Sequence, residues 1–204
     1  MKIWLENFKN RILGTFKERV VFIGIQGSHG RDEATESSDI DVVVILDKFT
    51  YDDLKTYNDA ISDLPYRDKI CGFVSGKKEL SNWVASDLFQ FYNDTKSLYG
   101  GLSWLSGRIR KDDAWRSCKS DACTIYHSCV HNSLHERDTN ILKNLYKEAA
   151  FALQAKYYYK KGKYIRRIHE LVNYLTDMDA VILNNYFDKF YEKDFDKASE
   201  QLMT

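Results

Sequence analysis

Two short stretches carry the residues best suited to chemistry: Gly27-Ser28-His29-Gly30-Arg31, and Ser38-Asp39-Ile40-Asp41-Val42 a few positions on. An apolar run, Val20 to Ile25, enters the glycine, and a second, Val42 to Leu46, leaves the aspartates. The order predicted is strand, tight turn, loop, strand. Side chains two apart on a strand emerge on one face, so Asp39 and Asp41 point together while Ile40 and Val42 turn towards a core. Paired carboxylates repel unless a cation lies between them, and their hard oxygens suit Mg²⁺ or Mn²⁺. In the turn, Gly27 permits a backbone closed to other residues, and successive N–H groups there can cradle phosphate oxygens. Ser28 adds a hydroxyl, and Arg31 a planar fork matched to phosphate. The chemistry indicated is the holding of a nucleoside triphosphate between a turn and a metal.

These residues resemble the signature of the polymerase-β-like nucleotidyltransferase superfamily: Gly-Ser, an arginine three residues on, then Ser-Asp-Ile-Asp-Val. The chain looks most similar to small-molecule nucleotidyltransferases of the kanamycin and lincosamide type and to minimal nucleotidyltransferases. The resemblance implies nucleotide binding by Gly27, Ser28, Arg31 and Ser38, and metal binding and catalysis by Asp39 and Asp41. It implies Mg²⁺, as one ion or two, and transfer of a nucleoside monophosphate, AMP from ATP, to a hydroxyl of a small acceptor such as an antibiotic. Two other readings stay open: adenylylation of a protein or RNA in the antitoxin manner, and a non-catalytic nucleotide-binding module. The family commonly places a third carboxylate on the next strand. That strand reads Ile70-Cys71-Gly72-Phe73-Val74, with no acid at its centre. Three possibilities stay open: Asp68, Glu79 or Asp87 substitutes, the helical half donates the acid or base, with Glu136 and Glu148 available, or catalysis is impaired; the kanamycin-type resemblance favours the second.

The elements that position these residues fall into two halves. Leu5, Phe8, Ile12 and Phe16 space a helix over residues 2 to 17, and Leu54, Tyr57 and Ile61 another over 51 to 62, stopped by Pro65. A strand is predicted at 69 to 75, a short helix at 77 to 84, and an edge strand at 94 to 100. The aromatic segment 87 to 92 fits helix and strand alike. From about residue 110 long helical periodicities take over, with helices at 112 to 136, 138 to 161 ended by Gly162, 163 to 176 and 177 to 191. The expected fold class is α+β, with an antiparallel helical bundle over residues 110–204; the resemblance implies a nucleotidyltransferase domain with a mixed sheet and flanking helices over 1–109, and a helical half that completes the substrate pocket.

Composition sets bounds. A chain of 204 residues with 44% hydrophobic content can bury a generous core, and 30 basic residues balance 30 acidic ones, which argues against nucleic acid as the main partner. The stretch Lys156 to Lys161 with Lys163, Arg166 and Arg167 is basic and aromatic, yet lysines near a helix C-terminus and tyrosines at helical spacing account for it. Cys71, Cys118, Cys123 and Cys129 lack CxxC spacing and read as reduced, mostly buried thiols. His127, His131 and His135 recur every four residues on one helix face, too far apart along the axis for all to meet one zinc ion with Cys123. The N-terminus reads as no signal peptide and no segment is long enough to span a bilayer, so the expected setting is the cytoplasm, away from membranes. A homodimer is compatible with the sequence.

Overall fold

A computed structural model describes all residues, 1–204, which group into two compact units: residues 1–84 with 91–108, and 85–90 with 109–204. The elements in chain order are α1 (Lys2–Phe16), β1 (Val20–Ile25), α2 (Gly27–Gly30), β2 (Ile40–Leu46), α3 (Tyr51–Ile61), β3 (Ile70–Gly76), α4 (Lys77–Ser81), α5 (Ala85–Asp94), β4 (Lys96–Gly100) and α6 (Ser103–Ser106). Then follow α7 (Lys111–His131), a π turn (Asn132–Glu136), α8 (Thr139–Lys161), α9 (Ile168–Leu171), α10 (Asp177–Phe187), α11 (Phe190–Lys193) and α12 (Phe195–Leu202).

The first unit is built on a mixed sheet in the order β3-β2-β1-β4. β1 runs antiparallel to β2 and β4, and β2 runs parallel to β3. A parallel pair needs a long crossover, and α3 supplies it. Ile40, Val42, Val44 and Leu46 form a core with Trp4, Phe8, Ile12 and Phe16 of α1 and Tyr57 and Ile61 of α3. The alternate residues of β2, Val43 and Ile45, are fully buried on the other face, so Asp41 is the exception in an otherwise apolar central strand. The row on α1 begins at Trp4 and not at Leu5, because the Trp4 indole donates to Pro65 O at 2.7 Å. The undecided segment 87 to 92 is helical, within α5.

The second unit is helical. Ala114, Cys118, Ile125 and Cys129 of α7 pack with Leu142, Leu145, Tyr146, Ala149 and Ala152 of α8, the alanines letting the two helices approach closely. Of the row expected on α7, Trp115, Cys118, Ala122, Tyr126 and Cys129, the two cysteines are buried, Trp115 is half-buried, and Ala122 and Tyr126 are exposed, with Ala114 and Ile125 buried in their stead. No regular helix fills 163 to 176. Gly162, at φ 69°, ends α8, and the fully buried Gln154 side chain donates to the carbonyls of Ile165 (2.8 Å) and Arg166 (2.9 Å), leaving only the single turn of α9 and a 3-10 turn. The last predicted helix likewise stops at Phe187, where Lys189 takes φ 50°. Two cysteine expectations fail: Cys71 and Cys123 are exposed, one on edge strand β3 and one on the outer side of α7, while Cys118 and Cys129 are buried. No helix is long and apolar enough to cross a membrane.

Candidate active site

β1 ends at Ile25, and the chain turns at once into the single helical turn α2. Its first amides, at Gly27, Ser28 and His29, have no acceptor within so short a helix. Gly27 adopts φ +62°, and a Cβ placed there would lie 1.8 Å from Oδ2 of Asp41. The turn and the carboxylate thus touch, and only a residue without a side chain fits between them. The Gln26 N–H donates to Asp41 O at 2.7 Å, fixing the approach through the backbone. Asp39 lies just before β2 and is exposed; Asp41, the second residue of that strand, is half-buried.

The loop from 31 to 39 is held at both ends. Arg31, only 6% exposed, donates Nε to Glu33 at 3.0 Å and Nη1 to Asp94 at 2.7 Å. Its guanidinium lies between two carboxylates at the base of the loop. The Ser38 hydroxyl accepts from the Thr35 N–H at 2.9 Å and closes the turn before Asp39, and Lys69 reaches the Glu36 carbonyl.

The parallel register pairs Asp41 with Cys71 and Val43 with Phe73, which share the aspartate face of the sheet. The Asp41 carboxylate accepts a hydrogen bond from the Cys71 thiol, and burial with the charges of Asp41 and Asp39 pushes that thiol up from its ordinary value. Phe73 packs edge-on against Trp83 and Phe91, at ring separations of 5.2 and 5.6 Å, forming an aromatic wall beyond the thiol. His29 is half-buried beside this pair; desolvation lowers its pKa, against the opposing pull of Asp41. Neither His29 nor Cys71 was singled out as a site residue by the sequence. His29 was visible inside the turn motif, whereas Cys71 depends on a strand register that no local pattern reports.

No three of the His, Cys, Asp and Glu side chains converge as a complete metal-ligand set. The donors present nonetheless fit magnesium, which is commonly held by one or two carboxylates with waters and substrate phosphates filling the remaining positions. In the helical unit, Asp121 is pushed up to about 6, first by burial and then by the charges of Glu148 and Asp87. Burial also raises Glu148. Glu136 is exposed in the π turn.

Residues 6–83 match the nucleotidyltransferase domain family. This chain carries a nucleotidyltransferase domain. The matched segment contains the turn, both aspartates and Cys71, and it makes the chain an enzyme of nucleotidyl transfer. Among solved structures, the chain is similar to spectinomycin adenyltransferase from Enterococcus faecialis, whose crystal structure holds ATP and spectinomycin. The TM-score is 0.55 at 11% identity, over 100% of both chains. At that identity the likeness is one of fold, and it extends the nucleotidyltransferase domain's resemblance to the whole α+β arrangement. No curated sequence matches the chain.

Proposed function

We propose that the chain is a Mg²⁺-dependent adenylyltransferase that moves AMP from ATP to a hydroxyl of a small-molecule acceptor. The observation that supports this reading is the contact between Gly27 and the Asp41 carboxylate, by which the glycine turn lies against the second of the two aspartates. The Gly27, Ser28 and His29 amides and the Ser28 hydroxyl hold phosphate oxygens, and Asp39 and Asp41 hold magnesium against them. Bound magnesium supplies charge neutralisation on the α-phosphate and on the departing pyrophosphate. Arg31, engaged by Glu33 and Asp94, braces the turn at the base of the loop.

In the reaction, the acceptor oxygen forms a bond to the α-phosphorus, the bond from that phosphorus to the α–β bridging oxygen breaks, and pyrophosphate leaves in line. The hydroxyl proton passes to solvent or to a carboxylate. The chain's own contribution is positioning: the turn fixes the triphosphate and the aspartates fix its metal, so the reacting atoms meet without further ordering.

Spectinomycin is the first acceptor to try, because the similar structure holds it, followed by other aminocyclitols, aminoglycosides and lincosamides. Incubation with ATP and Mg²⁺ should release pyrophosphate with at least one of them, and Asp41→Asn should abolish release. If calorimetry shows metal-dependent ATP binding but no acceptor yields pyrophosphate, the small-molecule assignment fails. Metal-independent binding unaffected by Asp41→Asn would remove the site itself.

A further inference from the structure

The row Cys123, His127, His131 and His135 runs along α7 into the turn that follows, and nothing in the nucleotide site uses it. All four side chains are exposed. At the end of α7 the backbone widens into the π turn Asn132–Glu136, closed where the Arg137 N–H donates to Asn132 O at 2.7 Å. This turn is braced. Asn132, 1% exposed, donates Nδ2 to Asp138 O at 3.0 Å and accepts from the Asp138 N–H at 2.9 Å. A π turn closed by a left-handed residue is an ordinary way to end a helix, and Arg137, at φ 52°, closes this one.

Within this turn the rings of His131 and His135 lie 4.8 Å apart between centroids, with their planes tilted by 54°. A metal-bound imidazole nitrogen lies about 2.0–2.1 Å from its ion, which puts the ring centroid roughly 3 Å away. Two rings near right angles about one ion then have centroids roughly 4.4 to 5 Å apart. The observed 4.8 Å falls within that range.

We propose that His131 and His135 form a two-imidazole site for a borderline divalent cation, of the Zn²⁺, Ni²⁺ or Cu²⁺ class, with water in the remaining positions. Imidazole suits these ions, whereas Mg²⁺ prefers oxygen, so the site is chemically separate from the aspartate pair. Two ligands are the full protein set, since no third His, Cys, Asp or Glu converges with them. His127 and Cys123 lie one and two turns back along α7.

The test uses the full chain without an affinity tag, stripped of metal by a chelator, at pH 7.5. Zn²⁺ is titrated by calorimetry and Cu²⁺ by electron paramagnetic resonance. The expected result is a site that persists in Asp41→Asn, disappears in the His131→Ala, His135→Ala double variant, and gives a copper spectrum with two nitrogen ligands. His131→Ala or His135→Ala should each weaken zinc binding about tenfold or more, since even changes behind a ligand commonly cost 10–100-fold. His127→Ala, Cys123→Ser and Asp41→Asn should leave it unchanged. The side chains are exposed, so unaltered melting curves confirm that the variants fold. Unchanged zinc affinity in the His131→Ala, His135→Ala double variant would overturn the proposal. So would a copper spectrum with one nitrogen ligand or none, or loss of zinc binding in Asp41→Asn.

Discussion

Gly27 does for the site what no charged residue can: it lets a turn rest against the carboxylate that must hold the metal. Alanine there would need a positive φ, at a cost of roughly 1–2 kcal/mol, and would drive its Cβ into Asp41. Because a 1 Å misplacement near a reacting centre can cost about 100-fold, Gly27→Ala should lower pyrophosphate release by about two orders of magnitude while the protein still melts cooperatively. Activity within threefold of wild type would show that the contact is not required. Cys71 allows a gain-of-function counterpart. It is the ladder partner of Asp41, so Cys71→Asp places a third carboxylate on the same face and should tighten Mn²⁺ binding, measured by calorimetry, whereas Cys71→Ser should not. Equal affinity in both variants would mean that position 71 does not meet the ion. The turn at Gly27-Ser28 and the strand entrance at Asp39 and Asp41 were legible in the sequence, because both are local patterns. Arg31 was legible as a residue but not as a contact, since its partner Asp94 lies 63 positions away.

Elements were readable to the extent that burial follows periodicity. The alternation in β2 and the spacing in α3 survive because each packs one apolar face on a single core. α7 was read correctly at Cys118 and Cys129 but not at Ala122 and Tyr126, because a helix of alternating small, polar and aromatic residues offers two adjacent stripes and only the partner helix selects between them. Residues 163–176 were misread because the bonds from Gln154 are non-local. The best-defined helix start is that of α3, where Thr50 N–H and Oγ1 donate to Asp53 Oδ2 at 2.8 and 2.9 Å and Arg19 Nη1 donates to Oδ1 at 2.8 Å. The Arg19 guanidinium, with Thr50, lowers the Asp53 pKa to about 2. A depressed carboxylate contributes stability that is present above its unfolded value near 4 and is lost as pH falls towards 2. Asp53→Asn should therefore cost about 1 kcal/mol in urea unfolding at pH 7, in keeping with loss of a helix cap. The gap between variant and wild type should narrow from about pH 4 and close as pH falls through about 2; a gap independent of pH would assign the cost to packing instead.

At the scale of the molecule, equal numbers of acidic and basic residues conceal uneven local charge. The helical unit brings together Asp87, Asp121 and Glu148 from three different helices, and burial, with the charges of the other two acids, pushes the Asp121 carboxyl up to about 6. No sequence pattern announces this, because the three acids lie at 87, 121 and 148 and meet only after packing. The sign of the effect follows from linkage. Between about pH 4 and pH 6 the folded chain holds a proton that the unfolded chain releases, so stability falls as pH rises through that window and levels off above it. Asp121 is partly open to solvent, which screens the penalty to about 1 kcal/mol. Asp121→Asn removes the charge without removing the shape, so it should raise the melting temperature at pH 7.5 by about 2–4 °C, the shift that 1 kcal/mol gives a chain of this size. At pH 4 the same substitution should change nothing, because Asp121 is already neutral there. Glu148→Gln should move the midpoint of the wild-type pH dependence downward by removing one of the charges that hold the proton on Asp121. If Asp121→Asn instead destabilises the protein equally at both pH values, the carboxyl acts through its hydrogen bond to Ser117, and charge crowding is not what governs the stability of the helical unit.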